Sequence, residues 1–234
     1  MGEPARVGRI ERGRRTGLRT GRRIGLLGGS FNPAHGGHLH ISLLALKLLG
    51  LDEVWWLVSP QNPLKPTAGM APFAARLEAA RDATAGQRRI RVSDIERKLG
   101  THYTADTLVA LKRRYPRHRF VWLMGADNLA QIPAWQAWTR IFTELSIAVF
   151  DRPSYSFKAL AGKAARRYAA YRVPPSRAKR LVGRKPPAWA FLYIPLHRAS
   201  ATAIRAKRGG ARAGGSGSER GSSKRGRSKA AGVV

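Results

Sequence analysis

An α/β fold, with one doubly wound and mostly parallel sheet flanked by helices, is predicted by three observations. Short continuous apolar runs, of the kind that buried parallel strands need, alternate with helix-forming segments. The first run ends in a glycine-rich turn that leads directly into a helical pattern. The helical patterns stop at recognisable signals, Gly50, Gly86 and Pro116.

The elements follow in order. Residues 24–28 read as the first strand, apolar from Ile24 to Leu27 and closed by Gly28 and Gly29, which tolerate backbone angles that other residues avoid. A helix begins near Gly37, where Leu39, Leu43, Leu46 and Leu49 recur at three- and four-residue steps. Further strands are expected at 54–58, 90–92, 120–124, 147–150 and 191–194. Between them, Pro72 is placed as the first-turn proline of a helix over 73–85. A second helix covers 103–114, and a third, basic and alanine-rich, covers 157–171 before the Pro174-Pro175 break. Ligands of such sheets sit beyond the carboxyl ends of the strands. Residues 28–38, 59–65 and 125–135 all fall at such ends and converge on one crevice.

Composition bounds the function. A chain of 234 residues with 43% apolar content can bury a substantial core. It has no cysteine, so disulfide frameworks and thiol chemistry are excluded. No apolar run reaches the roughly 18 residues of a membrane span, and the N-terminus lacks the apolar core of a secretory signal, so a soluble, cytoplasmic protein is expected. Glu3, Glu11 and the frequent glycines argue against a transit peptide. Of the net charge of +31, residues 1–23 carry +6 and 205–234 carry +8, leaving +17 within the domain. Both ends are dominated by Gly, Ser, Arg and Lys and are expected to be disordered extensions, 1–23 and 206–234, of a domain over 24–205. A basic crevice suits nucleotides, and the same charge suits nucleic acid.

The most informative stretch is Gly28-Gly29-Ser30-Phe31-Asn32-Pro33-Ala34-His35-Gly36-Gly37-His38-Leu39. A strand, a glycine turn and a helix N-terminus make an anion site, because first-turn N–H groups lack partners and the dipole end is positive. His35 and His38 stand at its mouth, either capping backbone groups or, charged by a neighbouring polyphosphate, donating to its oxygens. Zinc ligation by His35, His38 and His40 is disfavoured, since no cysteine or carboxylate completes a typical set. The chain also lacks a Gly-x-x-x-x-Gly-Lys-Ser/Thr phosphate loop.

This stretch resembles the nucleotidyltransferase superfamily with a (His/Thr)-x-Gly-His element, and the whole string is similar to the nicotinate-nucleotide adenylyltransferases. Other segments agree in order: Ser59-Pro60-Gln61-Asn62-Pro63-Leu64-Lys65, Tyr103-Thr104-Ala105-Asp106-Thr107-Leu108, Gly125-Ala126-Asp127-Asn128, Pro133-Ala134-Trp135 and the late Ser200-Ala201-Thr202-Ala203-Ile204-Arg205. The resemblance implies a Rossmann-like fold and transfer of AMP from ATP to nicotinate mononucleotide, giving deamido-NAD and pyrophosphate, with Mg²⁺ carried on the ATP phosphates. Nicotinamide mononucleotide and phosphopantetheine stay open as acceptors, as does a basic nucleic-acid-binding protein without catalysis. Oligomeric state stays open too.

Chemistry and resemblance together assign the residues. His35, His38, Lys65 and Arg205 are the candidate catalytic group, neutralising phosphates. Gly29, Ser30, Phe31, His38, Gly125, Asp127, Thr202 and Arg205 are expected around ATP, with Asp127 accepting from ribose hydroxyls. Ser30, Phe31, Lys65, Tyr103, Thr104 and Trp135 are expected around nicotinate mononucleotide, Trp135 stacking on the pyridine ring. Thr104 could equally cap its helix, and Trp138 is assigned to packing. No protein-held metal is expected. Two departures stand out: Ala201 replaces a usual serine, and after Arg205 a Gly/Ser/Arg run stands where the family continues with an apolar helix.

Overall fold

The computed structural model describes residues 21–60 and 69–195. In chain order these form β1 (Arg23–Gly29), α1 (Gly36–Leu48), β2 (Glu53–Val58), α2 (Phe73–Ala83), β3 (Ile90–Ser93), α3 (Ile95–Leu99) and α4 (Thr104–Arg114). There follow β4 (Arg119–Gly125), α5 (Ala126–Gln131), α6 (Trp138–Glu144), β5 (Ser146–Phe150), α7 (Ser156–Leu160), α8 (Lys163–Arg167) and β6 (Trp189–Leu192). Short 3-10 segments lie at Ile132–Ala134, Ala169–Tyr171 and Pro175–Gly183.

The strands form one sheet in the order β3-β2-β1-β4-β5-β6, with every neighbouring pair parallel. The chain winds outward from β1 to β3, then returns to β4 beside β1 and winds the other way. The ends of β1 and β4 therefore flank the switch point, where such sheets open a crevice. Both faces are covered, which is why the strands read as continuous apolar runs. Along β4, Phe120, Trp122 and Met124 enter one core while Val121 and Leu123 enter the other.

The expected elements appear with four corrections. The domain starts before residue 24: Arg23 opens β1 and pairs with Asp52, and Arg22 pairs with the buried Glu53. Pro72 occupies the N-cap of α2 and precedes its first helical residue. The sixth strand lies two residues earlier than expected, because Trp189 is buried with its indole N–H donating to Tyr168 O at 2.7 Å while Tyr193 faces solvent. The continuous helix over 157–171 is instead α7, α8 and a 3-10 turn, with Gly162 capping α8. Ala159 and Ala164 both pack inward; in one straight helix they would point about 140° apart. Residues 1–20, 61–68 and 196–234, with Lys65, Thr202 and Arg205, lie outside the described residues.

Gly28 is fixed by packing on β4. A Cβ there would meet Cη2 of the buried Trp122 at 2.4 Å. Gly28→Ala is expected to cost about 1–3 kcal/mol in urea unfolding, the usual range for overpacking; an unchanged midpoint would show that the ring yields.

Candidate active site

Helix α1 starts with a reciprocal cap made by two imidazoles. His35 is its N-cap residue, and its Nδ1 accepts from Gly37 N–H at 3.1 Å. His38 Nδ1 accepts from His35 N–H at 3.3 Å, and His38 N–H donates to His35 O at 2.9 Å. The expected cradle of bare first-turn N–H groups is thus corrected: His35, Gly37 and His38 already spend theirs inside the cap. A nitrogen that accepts from a backbone N–H carries no proton, so each neutral ring is held in the Nε2–H tautomer.

The rings are fixed from beneath. His35 and His38 lie 3.8 Å apart between centroids, Phe31 lies 4.8 Å from His38, and Phe31 stacks on Trp56 at 4.9 Å. Phe31 is buried and holds a left-handed φ of 45°. Its ring is the platform under His38, so the contact expected of Phe31 is one through its backbone. Trp56 Nε1 donates to Ser42 Oγ at 2.7 Å, and that hydroxyl donates to His38 O at 2.8 Å.

Arg76 joins the turns around the crevice. Its guanidinium, on α2, is buried and donates to Ser30 O (2.6 Å), Ser59 O (2.8 Å), Pro60 O (2.7 Å) and Ala71 O (3.0 Å). Asn32 adds a second tie, its amide donating to Gly69 O and accepting from Ala71 N–H. Beside Ser59 lies the buried Glu96, whose carboxyl is pushed up to about 7 by burial, against a hydrogen bond from Ser59.

Across the switch point, Arg152 follows the end of β5 and pairs with Asp127 of α5 at 2.5 Å. The other carboxylate oxygen of Asp127, Oδ1, is buried without a hydrogen-bond partner among the described residues. Gly125 leaves room for this carboxylate: a Cβ would meet Oδ1 at 2.5 Å, so the Asp127 side chain would have to shift. At Gly29, a Cβ would make only ordinary contact with Phe31, at 3.6 Å. One small cleft is lined by His35, His38, His40, Asp151, Arg152 and Ile194. Arg152 and Asp151 were not singled out from the sequence, although their place just past a predicted strand end was a usable signal. Arg76, Asn32 and Glu96 had no such signal, because their roles are defined by distant backbone carbonyls and burial.

The remaining expected residues are less gathered. Tyr103, exposed, is the N-cap of α4 and makes no side-chain cap. Thr104 occupies the first helical position, so the alternative that it caps the helix is corrected. Trp135 is half-buried at the end of the 3-10 turn, and Trp138 packs edge-on against Phe142 and Tyr168. No helix among the described residues is long and apolar enough to cross a membrane. No group of three or more His, Asp or Glu able to hold a metal stands among them.

A family model described as cytidylyltransferase-like matches residues 26–207. A protein of Parvibaculum lavamentivorans named "probable nicotinate-nucleotide adenylyltransferase" is 53% identical over 197 residues, covering 84% of this chain and 97% of its own length. One of the same name from Ruegeria pomeroyi is 52% identical, covering 82% of this chain and 89% of the relative. A solved structure of Plasmodium falciparum nicotinic acid mononucleotide adenylyltransferase, complexed with NaAD, superposes with a TM-score of 0.57 at 18% identity, covering 78% of this chain and 82% of that one. That likeness is one of fold.

Glu96 gives a pH signature. An unfolded glutamate ionises near 4.5 and the folded one near 7, so the folded state binds more protons between those values and stability falls as pH rises through them. Glu96→Gln is expected to remove this slope, gaining up to about 3 kcal/mol on the parent between pH 4.5 and 8. Parallel stability curves in urea would contradict it.

Proposed function

The chain belongs to the cytidylyltransferase-like family, and within it to the nicotinate-nucleotide adenylyltransferases, and we propose that its crevice beyond β1, β4 and β5 is where AMP passes from ATP to nicotinate mononucleotide. The products are deamido-NAD and pyrophosphate. The observation that carries the site assignment is the meeting of the two capped imidazoles and Arg152 in one cleft.

The nucleophile is a phosphate oxygen of nicotinate mononucleotide, already anionic near neutral pH, so no general base is needed. It attacks the α-phosphorus of ATP; the new P–O bond forms as the bond to the β-phosphate oxygen breaks, and pyrophosphate leaves with the electron pair. Catalysis then rests on alignment and on stabilising charge at the phosphates. His35 and His38 donate through Nε2–H, the positive end of α1 lies behind them, and Arg152 adds a fixed positive charge. The unpartnered Oδ1 of Asp127 accepts from an ATP ribose hydroxyl while Oδ2 stays on Arg152. Gly29 and Ser30 offer backbone at the mouth of the turn. Gly125 leaves the room that Asp127 needs.

On the acceptor side, the uncapped start of α4 at Tyr103 and Thr104 suits the nicotinate carboxylate, since helix N-termini attract anions. Trp135 offers a ring face to the pyridine. Lys65, Thr202 and Arg205 are proposed as further phosphate ligands on resemblance and charge. Mg²⁺ is proposed to enter on ATP, where it spreads the charge of the leaving pyrophosphate. The acidic groups nearest the cleft fit a metal carried by the substrate: Asp127 is paired with Arg152, and Asp151 accepts from Ser156 and from Arg152 N–H.

Pyrophosphate release should be followed with ATP, Mg²⁺ and either nicotinate or nicotinamide mononucleotide. The reading predicts turnover with the nicotinate form in clear preference; equal use of both would overturn the acceptor assignment. His38→Ala should lower kcat by about 10²–10³-fold, the cost of removing one such donor. Its loss of cap should lower stability by only about 1 kcal/mol. Near-normal turnover in a folded variant would rule out the phosphate role of His38.

A further inference from the structure

The last quarter of the described residues carries charge that the proposed nucleotidyl transfer does not use. No Asp or Glu occurs from residue 153 to 195, whereas ten Lys or Arg fall between 158 and 185. All ten are exposed. Elsewhere some exposed cations find acids, as Arg81 does with Glu78, Lys98 with Asp94 and Lys112 with Glu144, while others, Lys47, Arg88, Arg113 and Arg114 among them, stand outside the ion pairs of the described residues. What sets 158–185 apart is the run of ten cations with no acid among them. Among the described residues none of these ten is in an ion pair.

The charge makes a band that runs from α7 and α8, packed on α5, past residues 172–173 beside β6, to the 3-10 segment packed on β4, β5 and β6. Helices α7 and α8 bury Ala159, Ala164 and Ala165 in one core, while the 3-10 segment Pro175–Gly183 buries Ala178, Leu181 and Val182 in the other. Between them the chain runs along β6, where Val173 N–H donates to Trp189 O at 2.7 Å. On α8, Lys163, Arg166 and Arg167 share the outward side at three- and four-residue spacing. The segment Pro175–Gly183 kinks at Arg177, and past the kink Lys179 and Arg180 are exposed side by side. Exposed rings are interleaved with this charge: Phe157, 88% exposed, next to Lys158, and Tyr171 next to Arg172.

We propose that this band docks a single-stranded polynucleotide, cations on phosphates and exposed rings under bases. Unpaired bases offer faces for Phe157 and Tyr171 that a closed duplex does not, and base–aromatic stacking tolerates any sequence. The helices here are five residues long, too short to read a major groove. They are also too short to lie as an amphipathic helix in a lipid surface.

The test uses the full chain and fluorescence anisotropy over a salt series, with a labelled 20-nucleotide oligouridylate, its deoxythymidylate counterpart, a duplex of equal length and vesicles rich in anionic phospholipid. Oligouridylate binding should weaken linearly in log–log form with salt. The triple variant Lys163→Ala, Arg166→Ala, Arg167→Ala should reduce that slope by about 2, at roughly 0.7 per phosphate contact. Phe157→Ala should weaken binding about tenfold with the slope unchanged. Both should release pyrophosphate at the parent rate. Tighter uridylate than thymidylate binding would place RNA on the band, and the reverse DNA. The proposal is overturned if both variants bind like the parent, which would assign binding to the basic segments 1–23 and 206–234. It is equally overturned if duplex or vesicles bind more tightly than the single strands.

Discussion

At the start of α1, two backbone N–H groups donate to two imidazole nitrogens, and the chemistry of the crevice follows from which nitrogens those are. With Nδ1 of His35 and of His38 occupied, Nε2 carries the proton in each neutral ring. The same pair of bonds caps the helix and orients the Nε2–H groups proposed as anion donors. The stack of His35, His38, Phe31 and Trp56 sets the tilt of the rings, and the Trp56–Ser42–His38 hydrogen bonds anchor that stack to β2. Because those partners are buried, little rotational freedom remains to be lost when a phosphate binds, which is the advantage of a site organised before its substrate arrives.

A second constraint sets where the turns stand relative to one another. Strands β1 and β2 stay joined up to the bond from Ser59 N–H to Gly29 O at 2.9 Å, and past it Arg76 ties their turns by gathering carbonyls from both and from Ala71. Burial lowers the pKa of its guanidinium, and four carbonyl dipoles replace the water it gave up. A lysine could not reproduce that fork of donors. On the opposite side, Arg152 holds one oxygen of Asp127 and leaves the other buried without a hydrogen-bond partner among the described residues. The site thus has two walls, each set by an arginine tied to groups far away in sequence.

The sheet, the glycine turn and the two histidines were legible because their signals are local: apolar runs for buried strands, Gly28 and Gly29 at a strand end, a helical period from Leu39. What the sequence did not disclose is non-local. Nothing around Phe31 says that its ring turns into the core, and nothing around Arg76 says that four carbonyls converge on it. The helix over 157–171 was misread because alanine-rich composition favours helix throughout, while Gly162 and the need to bury both Ala159 and Ala164 break it. The histidines read as donors or as caps; they are caps through Nδ1, which leaves Nε2–H of each neutral ring for the phosphate role proposed above.

The most direct measurement is the histidine tautomer. In protein labelled with ¹⁵N at histidine, long-range proton–nitrogen spectra near neutral pH, assigned by comparison with single His35→Gln and His38→Gln variants, report which ring nitrogen bears the proton. The account predicts the Nε2–H form for both His35 and His38 in the free protein, with Nδ1 shifted as an acceptor. An Nδ1–H form at either ring would contradict it, since no backbone N–H could then donate to that nitrogen.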